Sequence, residues 1–300
     1  MSTTSISPGR QMVRRILQNP SVLIGGAIVL IIVFMGILAP YLDTRDPSDI
    51  SPKDRNKAPG YETTVRDYET GQKIPVSYKL GTDTLGRDIY SRVIYGARIS
   101  MIVGISVAAI AIVVGLGIGV LAGYFRWLDG IIMRLMDGLM AIPAILLAIA
   151  VVSVFKAGIV AVIIAIVVPE IPRVVRLVRS IVLSIREEPY VEAAITAGTK
   201  TPVLLVRHIL PNTIAPLIVQ GTFIVASAII VEAILSFLGI GIPPETPTWG
   251  NIMAEGRAVF QLFPHNILYP GIMLALTVLS VNMLGDGLRD TLDPRFAKRL

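Results

Sequence analysis

Long uncharged apolar runs are the feature that most constrains this sequence. A helix needs roughly 20 apolar residues to cross a hydrocarbon core about 30 Å thick. Six runs approach or exceed that length, although the fourth is short and the fifth contains one charge, Glu232. They cover residues 21–42, 99–125, 138–155, 157–169 (which can extend to 172), 209–244 and 266–285. Only 16% of the residues are charged, against about 25% in soluble domains. The sequence therefore predicts an all-α integral membrane protein with six transmembrane helices.

The distribution of Lys and Arg predicts how these helices are oriented, because short cytoplasmic loops are enriched in both. Basic residues occur before the first run, in the short loops after the second and fourth runs, and after the sixth. The basic residues of the outer segment lie in one long loop beside many acids, and long loops have little influence on orientation. Both termini are therefore predicted to be cytoplasmic.

This orientation divides the chain into five segments. They are a cytoplasmic N-terminal segment, a first transmembrane helix, an extracytoplasmic segment, a five-helix core with a cytoplasmic loop at 184–211, and a cytoplasmic tail. Their boundaries are 1–20, 21–42, 43–98, 99–286 and 287–300. The first run ends in Ala39-Pro40-Tyr41 without a small-x-small cleavage site, so we predict an uncleaved anchor rather than a signal peptide.

Missing residue types exclude several kinds of chemistry. The chain has no cysteine, which excludes disulfides, thiolate metal sites and a cysteine nucleophile. Its two histidines, His208 and His265, are far apart, so no metal site or cofactor is expected. There is no G-x4-G-K-[ST] phosphate loop, and no paired carboxylates or nucleophile–base set stand out. Basic residues are not interleaved with aromatic ones, so no nucleic-acid partner is expected.

Three local patterns predict how the helices pack. Leu85, Ile89, Val93 and Ala97 recur every four residues, which predicts an amphipathic helix at the end of the outer segment, either on the membrane surface or packed on the bundle. The glycines at 115, 119 and 123 have small-xxx-small spacing, which favours a close static helix contact. Glu232 either lines a translocation path or makes a polar contact between helices, and the sequence leaves both open.

The loop between the fourth and fifth runs has start and stop signals for two short helices. Pro189 suits the first position of a helix, and Gly198 suits its C-terminal stop. Thr201 and Pro202 then predict the N-cap and first residue of a second helix that ends near Pro211. Small side chains give the first helix a face on which another surface can sit closely: Ala193, Ala194 and Ala197.

The same loop resembles the EAA loop of ABC importer permeases. The resemblance rests on Glu192-Ala193-Ala194, on Gly198 four residues later, and on Leu210-Pro211. His208 departs from the pattern, since the family often has Ile there. Further stretches resemble the C-type permeases of dipeptide, oligopeptide and nickel importers: residues 80–100, 232–239, 243–250 and 285–294.

The resemblance implies a type I ABC importer permease fold, in which this loop is the coupling helix that docks in a cleft of the ATPase subunit. The residues implied for that contact are Glu192, Ala193, Ala194, Ala197, Gly198, Leu210 and Pro211. It also implies a non-catalytic subunit of the inner membrane with a sister permease, two ATPase subunits and an extracytoplasmic binding protein as partners. Peptides are the commonest cargo, and nickel or another small solute is the alternative. A secondary transporter would show inverted repeats, which we do not find.

Overall fold

The computed structural model describes residues 14–66 and 73–292 of the protein. Within these ranges the regular secondary structure is helical apart from one β-hairpin and an isolated bridge between Thr82 and Asp88. The helices are α1 (Pro20–Ile37), α2 (Ile89–Tyr124), α3 (Arg126–Ala141), α4 (Ala144–Val152), α5 (Ile159–Arg186), α6 (Pro189–Thr196), α7 (Thr201–Phe237), α8 (Trp249–Gly256) and α9 (His265–Leu292); the strands are β1 (Tyr61–Arg66) and β2 (Lys73–Tyr78). The prediction of a helical bundle is confirmed.

The hairpin departs from the predicted all-α fold class. β1 and β2 pair antiparallel from Tyr61 opposite Tyr78 to Arg66 opposite Lys73. Both strands contain β-branched residues and tyrosine, which favour extended structure. The rings of Tyr61 and Tyr78 stack with their centroids 6.3 Å apart at the base of the hairpin.

Fewer helices than the six predicted are both long enough and apolar enough to span a membrane. Among the described residues, α1, α2, α7 and α9 are long and apolar enough to cross a membrane, and the bent pair α3–α4 adds a fifth candidate. α5 has 28 residues, which is about 42 Å of helix, but it carries Glu170 and four arginines. α5 is long enough to span a membrane, but it is more charged than the other candidate helices.

Two helix boundaries at the end predicted to face outward differ from the prediction. The predicted amphipathic helix at the end of segment 43–98 is not separate, because α2 runs unbroken for 36 residues from Ile89. Asp88 caps it by accepting hydrogen bonds from the N–H groups of Tyr90 and Ser91. Ile89, like the next two residues of the predicted apolar stripe, is buried against the bundle, so the packed alternative is the correct one. At the other boundary, α1 ends at Ile37 rather than at 42, just before a short 3-10 turn that contains Pro40.

The third predicted span, 138–155, is not a single helix. α3 and α4 meet at an angle of 90° around Pro143. Proline has no N–H to donate and disfavours helical geometry in the residue before it, and Ile142 is indeed extended. α3 begins earlier than predicted and is attached to α5 by Arg176–Asp137 and Arg179–Asp129 ion pairs.

The boundaries of the later helices at the end predicted to be cytoplasmic also differ from the prediction. α5 continues past 172 to Arg186, and α9 runs on to Leu292, into the predicted tail of 287–300. The second short helix of the loop does not end near Pro211, because α7 continues from there to Phe237. Residues 205–209 form a π turn, in which the N–H of Leu210 bonds the carbonyl of Leu205. This wider turn accommodates Pro211, which has no N–H.

The centre of the bundle is the contact of α2 with α5. A Cβ placed on Gly115, Gly119 or Gly123 would lie 2.5–2.7 Å from the Cβ of Val174, Val178 or Val182, respectively. Each of the three valines is fully buried. The glycines therefore allow the two backbones to approach closely, which agrees with static packing of the small-xxx-small motif.

Candidate functional site

The loop between α5 and α7 contains one short helix with a sharp stop. α6 starts with Pro189 in its first turn and ends at Thr196. Gly198 has a φ of +81°, a left-handed conformation that glycine adopts without the steric cost of a Cβ. Its N–H bonds the carbonyl of Ile195 at 2.9 Å, and the N–H of Thr199 bonds that of Ala194 at 3.1 Å. These bonds satisfy carbonyls at the end of α6 and turn the chain towards α7.

α6 is attached to the bundle by one side and open on the other. Val191 is fully buried, whereas Glu192, Ala193 and Ala197 are exposed and Ala194 is half-buried. Ile195 is 49% exposed. Within the described residues, nothing covers this face of small and apolar side chains. An exposed apolar face of this kind can bind the surface of another protein closely.

The other predicted loop residues lie at the base of α7 and not on α6. Leu210 is half-buried and packs against the main hydrophobic core, while Pro211 is exposed. The loop is connected to this base by Tyr190, whose hydroxyl oxygen accepts a hydrogen bond from Asn212 Nδ2 at 3.2 Å. The Tyr190 ring also lies 6.2 Å from that of His208. The structure thus separates the predicted residues into an open helix and its support.

Glu232 lies inside the bundle with none of its surface exposed. Ser236 Oγ donates a hydrogen bond to its Oε1 at 2.8 Å, and Ser100 Oγ approaches its Oε2 at 3.4 Å. Because Ser100 is in α2, the carboxyl group connects α7 to α2. The side chain therefore reaches no open surface of this subunit, and the geometry favours the polar contact between helices over a path-lining role.

A second acid inside the bundle, Glu170, was not identified from the sequence. It is 3% exposed and lies between Pro169 and Pro172 in α5. Its Oε1 accepts hydrogen bonds from Arg173 Nη1 at 2.9 Å and from Ser227 Oγ at 3.1 Å. The sequence did contain a signal for it, because extending the fourth apolar run to 172 brings this one acid into the run.

At the end of the bundle predicted to face outward, a buried network of charges holds several segments together. Arg87 and Arg92 are almost fully buried and both contact Glu255 in α8. Arg87 Nε also pairs with Asp83 at 2.6 Å. Burial raises the pKa of the Glu255 carboxyl, while the two arginines oppose that rise. The network fastens α8 and the loop before α2 to the start of α2.

A cleft of about 750 Å³ opens near the loop end of the bundle, between α5, α7 and α9. Apolar side chains form most of its wall, and Asn212, Gln220 and Arg289 are its polar members. Asn212 in its wall bonds Tyr190 of α6, so the cleft lies next to that helix. Among the described residues, no group of three His, Cys, Asp or Glu could hold a metal ion.

This arrangement of helices is the type I ABC importer permease fold. A chain of the MetNI methionine ABC transporter, solved in inward-facing conformations, superposes with a TM-score of 0.55 at 17% identity, covering 68% of this chain and 97% of that one. Residues 111–298 match the family of binding-protein-dependent transport system inner membrane components. Residues 7–59 match the N-terminal TM domain of oligopeptide transport permease C.

The chain belongs to the family of binding-protein-dependent transport system inner membrane components. It is 50% identical over 288 residues to the probable peptide ABC transporter permease protein y4tQ of Sinorhizobium fredii, covering 96% of this chain and 94% of that one. It is 38% identical to the dipeptide transport system permease protein DppC of Alkalihalophilus pseudofirmus, covering 97% and 91%. The protein is thus a non-catalytic permease subunit of an ABC importer in the inner membrane, and it works with a separate ATPase and a substrate-binding protein.

Proposed function

We propose that this subunit forms part of the translocation path of an importer for dipeptides and oligopeptides. The carrying observation is similarity along nearly the whole chain to permeases whose names specify peptide and dipeptide transport. The match of residues 7–59 to an oligopeptide permease domain supports the same cargo. In this proposal the chain pairs with a sister permease to form a heterodimer, and two ATPase subunits bind the pair.

In this proposal α6 is the helix that docks into the ATPase subunit. Its open face carries Glu192, Ala193, Ala194 and Ala197, and the small side chains allow close approach. Two residues join α5 to α6, and four join α6 to α7. Movement of the docked helix therefore passes directly into two long helices of the bundle. Val191 and the Tyr190–Asn212 hydrogen bond keep α6 attached to the bundle during that movement.

The proposed orientation places α6 and both termini in the cytoplasm. The β-hairpin, α8 and the buried network around Arg92 are then extracytoplasmic, where the binding protein delivers its cargo. The arginines in the short loops support this orientation.

The test is uptake by the complete importer in proteoliposomes, with sister permease, ATPases and binding protein. We expect ATP-dependent uptake of a radiolabelled dipeptide that is abolished when the binding protein is omitted. Uptake of radiolabelled nickel without uptake of peptide would show that the substrate is nickel rather than peptide, and would leave the permease role unchanged. Peptide uptake that persists without ATP would contradict the importer mechanism.

A further inference from the structure

The Glu170–Arg173 pair places an exposed cation in the middle of α5. Arg173 lies 14 residues from the start of α5 and 13 from its end, about 20 Å from each. Its side chain is 47% exposed, whereas that of Glu170 is 4% exposed. A cation facing hydrocarbon at the centre of a helix costs about 2.5–3.5 kcal/mol on insertion scales. The exposed face around Arg173 is therefore suited to water or to protein rather than to hydrocarbon.

The surroundings of the pair are polar on several sides. Pro169 and Pro172 lack N–H groups, so two carbonyls in the preceding turn lose their helical partners. Ser227 of α7 donates to the same Glu170 oxygen that Arg173 contacts. Glu170 Oε2 is buried and has no hydrogen-bond partner among residues 14–66 and 73–292. Broken helices and polar groups at membrane depth occur where they line a cavity.

The exposed side of Arg173 continues into the cleft. Leu177, four residues further along α5, lies on the same face of the helix and is part of the cleft wall. Ser180, seven residues along, shares this face and is exposed. Across the cleft, α7 contributes Gln220 and α9 contributes Arg289. The same side of α5 thus reaches from Arg173 to a mostly apolar cleft with a few polar side chains at the loop end of the bundle.

We propose that this side of α5 lines the translocation path, and that Arg173, held in place by Glu170, binds the carboxylate groups of passing substrate. A guanidinium has five N–H donors and keeps its charge in any protein environment, so one bond to Glu170 leaves further donors for a second carboxylate. The inference rests on the peptide importer function proposed above and adds the group of the substrate that is recognised.

The first test is water access, measured with thiol reagents. The chain has no cysteine, so a single engineered cysteine reports one position. We expect Arg173→Cys and Ser180→Cys to react with a membrane-impermeant methanethiosulfonate in the assembled importer. Ser180→Cys leaves the Glu170–Arg173 ion pair in place, so it still reports on this face if Arg173→Cys does not fold. The control is Ile164→Cys. Ile164 is exposed and lies nine residues before Arg173, which places its side chain on the opposite side of α5.

The labelling pattern separates the possible surroundings of this face. Reaction at 173 and 180 but not at 164 supports a water-filled path. If positions 173 and 180 react only after the two permeases are separated, this face is the sister-subunit interface and the proposal is wrong. Equal protection of all three positions in the assembled and the separated subunit would place this face against lipid, and would also overturn it.

The second test is recognition of the carboxylate. The measurement compares uptake of a dipeptide with that of its C-terminal amide, at saturating binding protein, in the wild type, in Arg173→Lys and in the double variant Glu170→Gln/Arg173→Gln. The double variant avoids a buried unpaired charge. Loss of a hydrogen bond to a charged group predicts an acid-to-amide rate ratio lowered about tenfold in the double variant, with a smaller decrease in Arg173→Lys. The unchanged binding protein contributes equally to all three.

The outcomes distinguish this inference from the proposed function. An unchanged acid-to-amide ratio in a double variant that still transports overturns the role of Arg173 and leaves the importer function intact. Absence of ATP-dependent uptake of either peptide by the wild-type importer would instead remove the proposed function itself.

Discussion

Glu232 shows what a membrane-embedded acid does when the bundle satisfies it. The side chain has no exposed surface, and Ser236 and Ser100 direct their hydroxyl groups at it. We expect Glu232→Gln to leave the pH dependence of peptide uptake unchanged, because no solvent reaches the carboxyl group. Glu232→Ala should destabilise the subunit by about 1–3 kcal/mol, since both hydroxyl groups lose their acceptor. Thermal unfolding in detergent and uptake across pH measure these effects. A shifted pH profile in Glu232→Gln would restore the path-lining role.

Gly198 is a residue whose conformation, rather than its contacts, determines its importance. No atom outside its chain neighbours lies within 4 Å of the position of a Cβ, but its φ is +81°. We expect Gly198→Val to cost about 1–2 kcal/mol locally and to misplace α6, because a β-branched residue disfavours this region. Gly198→Asn is the matched control, since asparagine tolerates the left-handed conformation. Co-purification of the ATPase and substrate-stimulated hydrolysis should decrease in the valine variant only.

A second variant of the same loop tests its surface independently of its backbone. Ala194→Arg places a bulky charge on the proposed docking face without changing the turn at Gly198. If both Ala194→Arg and Gly198→Val retain normal ATPase association and stimulated hydrolysis, α6 is not the contact.

At the scale of the elements, the α2–α5 contact depends on which glycines face the neighbouring helix. A Cβ on Gly119 would lie 2.7 Å from the Cβ of Val178, whereas one on Gly117 would meet nothing within 4 Å. We expect Gly119→Val to lower the unfolding temperature clearly, because overpacking costs about 1–3 kcal/mol. Gly117→Val, two residues away on the same helix, should have a much smaller effect. Equal stability of the two variants would mean that the close packing of α2 on α5 is not required.

At the scale of the whole molecule, the sequence predicted most long helices but not their breaks and extensions. Apolar runs identify helices wherever burial or lipid contact is uniform along them, as in α1 and α9. They failed around Pro143, where the proline breaks one run into two helices at 90°. They also failed along α5. This helix continues beyond its apolar run through several arginines, two of which pair with acids of α3.

The candidate site was only partly predictable for a similar reason. α6 and its stop at Gly198 are local signals, carried by a proline and a glycine nine residues apart in its own segment. Glu170–Arg173–Ser227 joins α5 to α7 over 57 residues of sequence, and its geometry depends on how the two helices pack. The network of Arg87, Arg92 and Glu255 likewise joins segments that only the folded bundle brings together.

The orientation of the whole molecule in the membrane can be tested at two exposed positions at opposite ends. Glu62 is exposed in β1, and Thr196 is exposed at the end of α6. Because the chain has no cysteine, Glu62→Cys and Thr196→Cys each give a single reactive thiol. The clustering of arginines in the short loops predicts that a membrane-impermeant maleimide labels position 62 in spheroplasts, and labels position 196 only in inside-out vesicles. Uptake measured with each variant controls for correct assembly. The reverse pattern in transport-competent variants would invert the orientation and place α6 out of reach of a cytoplasmic ATPase.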